Sequence, residues 1–298
     1  MEKHYLIGLK PAEYEHPFDK AALAALTKLK GFDTVVNFFL NWTHVRWDLI
    51  EKQGSCFHVT LDSCPKLYKQ VKNLAAILEV KDVPEVYTTW GYFINGYTTG
   101  IKDKTMIVLQ SGAVDLLNED ELGYVIGHEL GHVKSGHVLY HVMGSMIAQA
   151  AIWLPLGEAL LAPIQVALMY WNRMSEFTAD RAGLLACQNK EAAINAIIKM
   201  CGVPEKYFGE LSEEAILKQA EEFETRFNSS ADKAMRTYLI MSNSHPWTVY
   251  RAGELIKWIR SGEYDRIVEK YTATKCPHCG EPIGKGEKVC NCCGLLIS

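Results

Sequence analysis

Nowhere in these 298 residues does an apolar run reach the roughly 20 uninterrupted side chains needed to cross a hydrocarbon core. The most apolar stretch, Val138 to Trp171, is interrupted by Pro155, Glu158 and Pro163, so neither Val142 to Gly157 nor Ala159 to Asn172 makes a span. Positive charge is not in excess either. Interleaved along the chain, 31 Lys and Arg stand against 35 Asp and Glu, for a net charge of -4. That balance removes the electrostatic case for nucleic acid as a main partner, and none is expected. The first residues, Met1 to Tyr5 and on to Pro11, lack the apolar core of a secretion signal, so a cytoplasmic location is expected. Repeats and low-complexity tracts are also missing. With 48% hydrophobic residues, the chain is expected to bury one substantial core and carry a small appendage.

Of nine cysteines, five stand beyond position 275. Cys276-Pro-His-Cys279-Gly280 and Cys290-Asn-Cys-Cys293-Gly294 are two tight turns, each able to aim two thiolates at one ion, with Gly permitting the backbone that follows. Cys276, Cys279, Cys290 and Cys293 are therefore expected to hold a structural zinc in a ribbon over 274–298. Four sulfurs close the coordination shell, so no catalysis is expected there. A slipped ligand set using His278 or Cys292 is the alternative. Lys275, Lys285 and Lys288 are offset by Glu281 and Glu287 without interleaved aromatics, so the ribbon reads as a staple or a protein-docking module. Its candidate partners are the substrate, another protein, or the chain's own cleft. Cys56, Cys64, Cys187 and Cys201 sit among apolar neighbours and read as small buried hydrophobes in a reducing compartment.

His128-Glu129-Leu130-Gly131-His132 is the stretch that names a chemistry. Residues four apart share a helix face, so His128 and His132 can offer two imidazoles to one metal while Glu129 leans toward a bound water. A catalytic zinc needs a third protein ligand and an open fourth position. Glu176 and Asp180 repeat the four-residue spacing on a second expected helix. Glu176 is the expected third ligand; Asp180 is expected to accept the proton on the far nitrogen of His128. His245, before Pro246, is the candidate donor to the oxyanion that forms during hydrolysis. The arrangement with a third histidine six residues after the second does not fit, because His137 falls five after His132. His137 reads as a structural or surface histidine.

The flanking pattern is helical with one short sheet. Asp19 is expected to cap a helix ending near Leu29, and a second helix is expected from about Thr34 to Lys52. A β-prone run at Cys56 to Leu61 precedes a helix that starts at Pro65. Strands are expected at Glu85–Thr89, Tyr92–Thr99 and Met106–Gln110, and Asn118 is expected to cap the histidine helix. The stretch 138–171 admits two readings: a helical hairpin buried against the body, or contact with a membrane through Trp153, Tyr170 and Trp171.

With these residues assembled, residues 55 to 265 resemble the HtpX-like and CAAX-prenyl-protease-like metallopeptidases, metallopeptidase family 48 of the gluzincin group. The resemblance rests on H-E-L-G-H at 128–132 with Gly136-His137 after it, S-E-F-T-A-D-R-A-G at 175–183, H-P-W-T-V-Y-R at 245–251 and N-G-Y-T-T-G at 95–100. It implies an α+β fold, mainly helical and zincin-type with a small sheet, here carrying the C-terminal ribbon. It divides the chain into an N-terminal helical segment (1–54), a gluzincin domain (55–270) and the ribbon (274–298). It implies catalytic zinc on His128, His132 and Glu176, Glu129 as general base, and an ion-pair role for Arg251. It also implies substrate pairing on the strand at Asn95, Gly96 and Tyr97, where Gly96 and Tyr97 replace the family's Ala and Phe. The implied activity is endopeptidase action on a peptide or protein substrate. The spanning helices of integral-membrane members are not matched, so a soluble chain or one set against the inner face of a membrane is expected. The rival reading is a metal-bearing scaffold or latent protease whose ribbon docks a partner.

Overall fold

The computed structural model describes residues 3–41, 45–101, 104–150, 158–210, 212–232, 235, 239 and 247–297. It is mainly helical with a small mixed sheet. Strands β1 (Phe57–Val59), β2 (Glu85–Thr89), β3 (Gly96–Ile101) and β4 (Lys104–Gln110) lie in the order β1-β2-β4-β3. β2 and β4 run parallel, Val86 opposite Ile107 and Thr88 opposite Leu109; β3 is antiparallel to β4 and forms one edge. The interior of β4, Met106 to Leu109, is buried on both faces, which is why it reads as a continuous apolar run instead of alternating. Ile107 and Leu109 enter the main core, while Met106 and Val108 pack with Tyr87 on the other face.

The strand expected from Tyr92 begins only at Gly96. Trp90, Tyr92 and Phe93 lie exposed in a loop, where Tyr92 and Phe93 carry β-prone side chains without a strand. The loop is tied down by Gly112 N–H to the Gly91 carbonyl and by Gln110 N–H to the Asn95 carbonyl. A Cβ at Gly112 would lie 2.8 Å from the backbone of Phe93, so the loop can rest there only on a glycine.

Helix α1 (Pro17–Leu26) is capped by His16, whose Nδ1 accepts from Phe18 N–H, with Pro17 at the first position. Asp19, expected as the cap, is instead turned inward and buried. The single helix expected over 34–52 is two helices, α2 (Phe32–Asn41) and α3 (Val45–Ser55), with 42–44 outside the described residues. α4 (Pro65–Ile77) starts at its proline, and α5 (Ser111–Leu116) follows the sheet. α6 (Glu119–Lys134) opens on a capping box in which Asn118 and Glu121 satisfy each other's backbone N–H groups. Of the four remaining cysteines, Cys187 is buried and Cys56, Cys64 and Cys201 are partly buried.

The apolar stretch forms α7 (Val138–Ala150) and the start of α8 (Glu158–Cys187). Pro163, expected to break it, lies inside α8. It sits close to the helix start, and burial of Ile164, Leu168 and Trp171 just beyond outweighs the one hydrogen bond a proline forgoes. Met143, Ile147, Leu161, Ile164, Leu168 and Trp171 pack with Leu26, Phe32, Val35 and Phe39 of α1 and α2 in one cluster. Each such side chain, fully buried, contributes about 1.5–3 kcal/mol. Among the described residues, no helix is long and apolar enough to cross a membrane. Trp153 lies outside the described residues, and Tyr170 is partly exposed. The chain continues through α9 (Lys190–Met200), α10 (Glu213–Arg226), α11 (Thr248–Arg260) and α12 (Glu263–Tyr271) into a two-stranded ribbon of β5 (Thr274–Lys275) and β6 (Pro282–Ile283).

What positions the site is the seam between α6 and α8. A Cβ at Gly127 would lie 2.4 Å from Ala186 Cβ, and one at Gly131 would lie 2.5 Å from Ala182 Cβ. At Gly183 it would lie 2.8 Å from the Tyr124 carbonyl. These contacts are with backbone or with alanine Cβ atoms that have no rotamer to yield, so the helices meet as closely as they do only because three glycines stand here. Gly131→Ala is expected to lower the unfolding free energy by about 1–3 kcal/mol, the usual cost of overpacking, read from urea or thermal denaturation. A variant as stable as the parent would mean that the seam can open without penalty.

Candidate active site

The close seam sets the two histidines of α6 opposite the two carboxylates of α8. His128 Nε2 and His132 Nε2 are 3.2 Å apart, and each lies 3.5 Å from an oxygen of Glu176. Bonds of about 2.0–2.1 Å at a tetrahedral zinc set its nitrogen and oxygen donors roughly 3.3 Å apart, so the triangle fits that ion. All three side chains, with Glu129, Asp180 and Arg251, are at most 5% exposed.

Each ligand is held from behind. His128 Nδ1 is 3.0 Å from Asp180 Oδ1, which also accepts the Tyr124 hydroxyl at 2.7 Å. Arg251 of α11 forks onto Asp180, Nε to Oδ2 at 2.8 Å and Nη2 to Oδ1, and its Nη1 forms an ion pair with Glu176 Oε2 at 2.9 Å. Burial alone would raise the Asp180 carboxyl, yet the charge and hydrogen bonds of Arg251 together with those of His128 hold it well below the usual carboxylate range. Burial likewise disfavours a charged His128, but hydrogen bonds to Asp180 and Glu176 and their negative charges overcome it and raise its pKa to about 10.

His132 is held differently. Its Nδ1 meets Nδ1 of His137 at 3.0 Å, and His137 Nε2 lies 3.3 Å from Asp19 Oδ2. His137 is buried, so of its two expected roles the structural one holds and the surface one does not. His141 also lies close to His132, its Nε2 bonded to Ser175 Oγ at 2.8 Å.

Glu129 faces β3. Thr98 Oγ1 donates to Glu129 Oε2 at 2.6 Å, and a small cleft of about 10 Å³ is lined by Asn95, Gly96, Tyr124, His128, Glu129 and Arg251, among others. Asn95 stands just before β3, Gly96 begins it, and Tyr97 is in register with Val108. His245 lies outside the described residues. Thr98, Tyr124, His137 and Asp19 were missed from the sequence. His137 and Thr98 each stand in a quoted segment, the Gly-His pair after the histidine motif and N-G-Y-T-T-G at 95–100, which gave them no such role.

In the ribbon, Cys276, Cys279, Cys290 and Cys293 bring their sulfurs within 4.8 Å of one another, the nearest pairs at 3.8 Å and 3.6 Å. Zinc–sulfur bonds of about 2.3 Å in a tetrahedron give roughly the same spacing. Gly280 and Gly294 follow the turns at φ 78 and 72, the left-handed region that glycine enters without strain. Backbone N–H groups of Cys279 and His278 lower the Cys276 thiol, while hydrogen bonds with the other sulfurs raise its neighbours Cys279 and Cys293. His278 is turned to the Leu296 carbonyl and Cys292 is exposed, so neither joins the cluster.

The model of peptidase family M48 matches residues 63–259. A plastoglobule-localized metallopeptidase 48 of Arabidopsis thaliana chloroplasts is 28% identical over 260 residues, 87% of this chain and 75% of that protein. A protease HtpX homolog of Desulfatibacillum aliphaticivorans is 27% identical over 194 residues, 55% of this chain and 62% of the relative. One of Methylibium petroleiphilum is 29% identical over 189 residues, 55% and 66% respectively. The chain therefore spans less than two thirds of the length of these two bacterial relatives.

Proposed function

The chain belongs to peptidase family M48 and is a metallopeptidase; from that premise we propose that it cuts extended polypeptides internally, with one catalytic zinc on His128, His132 and Glu176. The observation that carries this reading is the triangle of three buried donors with Glu129 on the same helix turn. Zinc held there supplies a Lewis acid that activates water and polarises the peptide carbonyl.

The chain's own groups do the rest. Glu129 takes the proton of the attacking water and delivers it to the leaving amine, and Thr98 keeps one of its carboxylate oxygens in place. Asp180 fixes His128 in the tautomer whose Nε2 lone pair faces the ion, and Arg251 balances Asp180 and Glu176. His245 is assigned the hydrogen bond to the developing oxyanion. Substrate pairs by its backbone with the edge strand from Asn95 through Tyr97, which gives affinity with modest sequence preference. The four ribbon sulfurs hold a second, structural zinc, and a protein partner docks there. Contact with a membrane through 138–171 and a place at its inner face belong to the same reading.

Zinc-loaded protein is expected to cleave an unstructured polypeptide such as casein. A chelator should abolish the cleavage and added zinc restore it, with fragments followed by mass spectrometry. Zinc-replete protein that leaves every unfolded substrate intact would favour the scaffold reading instead.

A further inference from the structure

The family match begins at residue 63, yet one of the groups that orders the metal centre comes from position 19. Asp19 is buried beneath α8 and accepts two hydrogen bonds, from Trp171 Nε1 on Oδ1 at 2.8 Å and from Thr178 Oγ1 on Oδ2 at 2.6 Å, while His137 Nε2 lies 3.3 Å from Oδ2. A carboxylate filled in this way can only accept. His137 Nε2 must therefore carry a hydrogen, which leaves Nδ1 of the neutral ring as an acceptor. Facing it at 3.0 Å is His132 Nδ1, which must then be the donor. With its hydrogen fixed on Nδ1, His132 presents a bare Nε2 lone pair to the triangle it forms with His128 and Glu176. The opposite assignment would place a hydrogen on Nε2, where the ion belongs.

We propose that Asp19 and His137 are positioning residues for the metal centre: a two-step relay from α1 through His137 fixes the tautomer of His132, as Asp180 fixes that of His128 directly. The N-terminal segment is thereby part of the metal site, and zinc affinity depends on its docking. This rests on the reading that zinc sits on His128, His132 and Glu176. The two halves of the site are then ordered from opposite sides, His128 by α8 and α11, His132 by the turn after α6 and by α1.

Asp19→Asn breaks the relay while nearly preserving shape. An amide must turn its NH2 either toward Trp171 Nε1–H, where two donors meet, or toward His137 and Thr178. In the second case His137 flips to accept, and its Nδ1–H then confronts His132. His137→Phe removes the middle link while keeping a ring. Thr178→Val is the control, since it loosens α1 by removing the acceptor of His16 N–H and one donor to Asp19 while leaving the Asp19 carboxylate and both imidazoles of the relay in place.

The experiment is zinc retention by the full chain against increasing chelator, measured by elemental analysis, with Glu176→Ala identifying which release step belongs to the histidine site. The expected result is that Asp19→Asn and His137→Phe each weaken that step by about 10–100-fold, the usual effect of losing a group behind a metal-bound histidine. The double variant should be no worse than the single ones, because the links act in series, and Thr178→Val should move the step little. Imidazole 15N resonances should show His137 protonated on Nε2 in the parent and not in Asp19→Asn. If no step disappears in Glu176→Ala, the zinc assignment itself fails and the relay with it. If the step is lost there but stays within twofold of the parent in folded Asp19→Asn and His137→Phe, the relay alone is refuted. An equal loss in Thr178→Val would reduce Asp19 to an anchor for α1.

Discussion

Glu129→Gln is expected to retain both zincs and lose about 10²–10⁴-fold in kcat, the range that general-base catalysis contributes. The argument is one of shape against charge. Glutamine fills the same buried space beside Gly96 and can still accept the Thr98 hydroxyl, so α6 and its two histidines should not move. What it cannot do is take a proton from water and return it to an amine. Zinc content by elemental analysis, circular dichroism and turnover of an unstructured substrate together separate this outcome from misfolding. Thr98→Val provides the milder comparison. It leaves the carboxylate able to act but free to turn, so it should lower kcat by less. Undiminished turnover in Glu129→Gln would remove this residue from the mechanism.

Arg251→Met is expected to be the most destabilising single change at the site. Arg251 is the fully buried cation between Asp180 and Glu176, and removing one member of such a group leaves uncompensated charge, at a cost of about 3–5 kcal/mol. Zinc should alter the size of the effect. An ion on Glu176 and the histidines supplies part of the missing positive charge, so the loss should be larger in metal-free protein than in loaded protein. Denaturant unfolding of both forms measures the difference. A variant within about 1 kcal/mol of the parent in both states would show that Arg251 is replaceable by packing alone, an outcome known for some buried ion networks.

These two residues also mark how far the sequence could be read. Glu129, His128 and His132 lie within one helix turn and a half, where spacing translates directly into geometry. The same holds for the capping box at Asn118 and for the Cys-Gly turns of the ribbon, whose conformations are set by adjacent residues. Glu176 and Asp180 were legible because they repeat the four-residue period on a second helix. Asp19 was not, since its partners Thr178, Trp171 and His137 are more than a hundred positions away and its place near a helix start offered a cheaper explanation. Thr98 lies in the N-G-Y-T-T-G segment, but nothing there announces its bond to Glu129, because only the sheet register places its hydroxyl over that carboxylate. Tyr92 and Phe93 read as the start of a strand because aromatics favour strands, yet they lie in the loop before β3. Its exposure follows from Gly112, on which its backbone rests, and a single glycine in sequence does not announce what will lie against it.

The cleft beside Glu129 has its own consequence. With about 10 Å³ free between the described side chains, it admits roughly one solvent molecule and no peptide. For a polypeptide to reach this centre the described walls must part, and its apparent dissociation constant is then the intrinsic one divided by the fraction of molecules in which they have. Substitutions that stiffen the surrounding helices would then raise KM while leaving the bond-breaking rate of each productive encounter untouched.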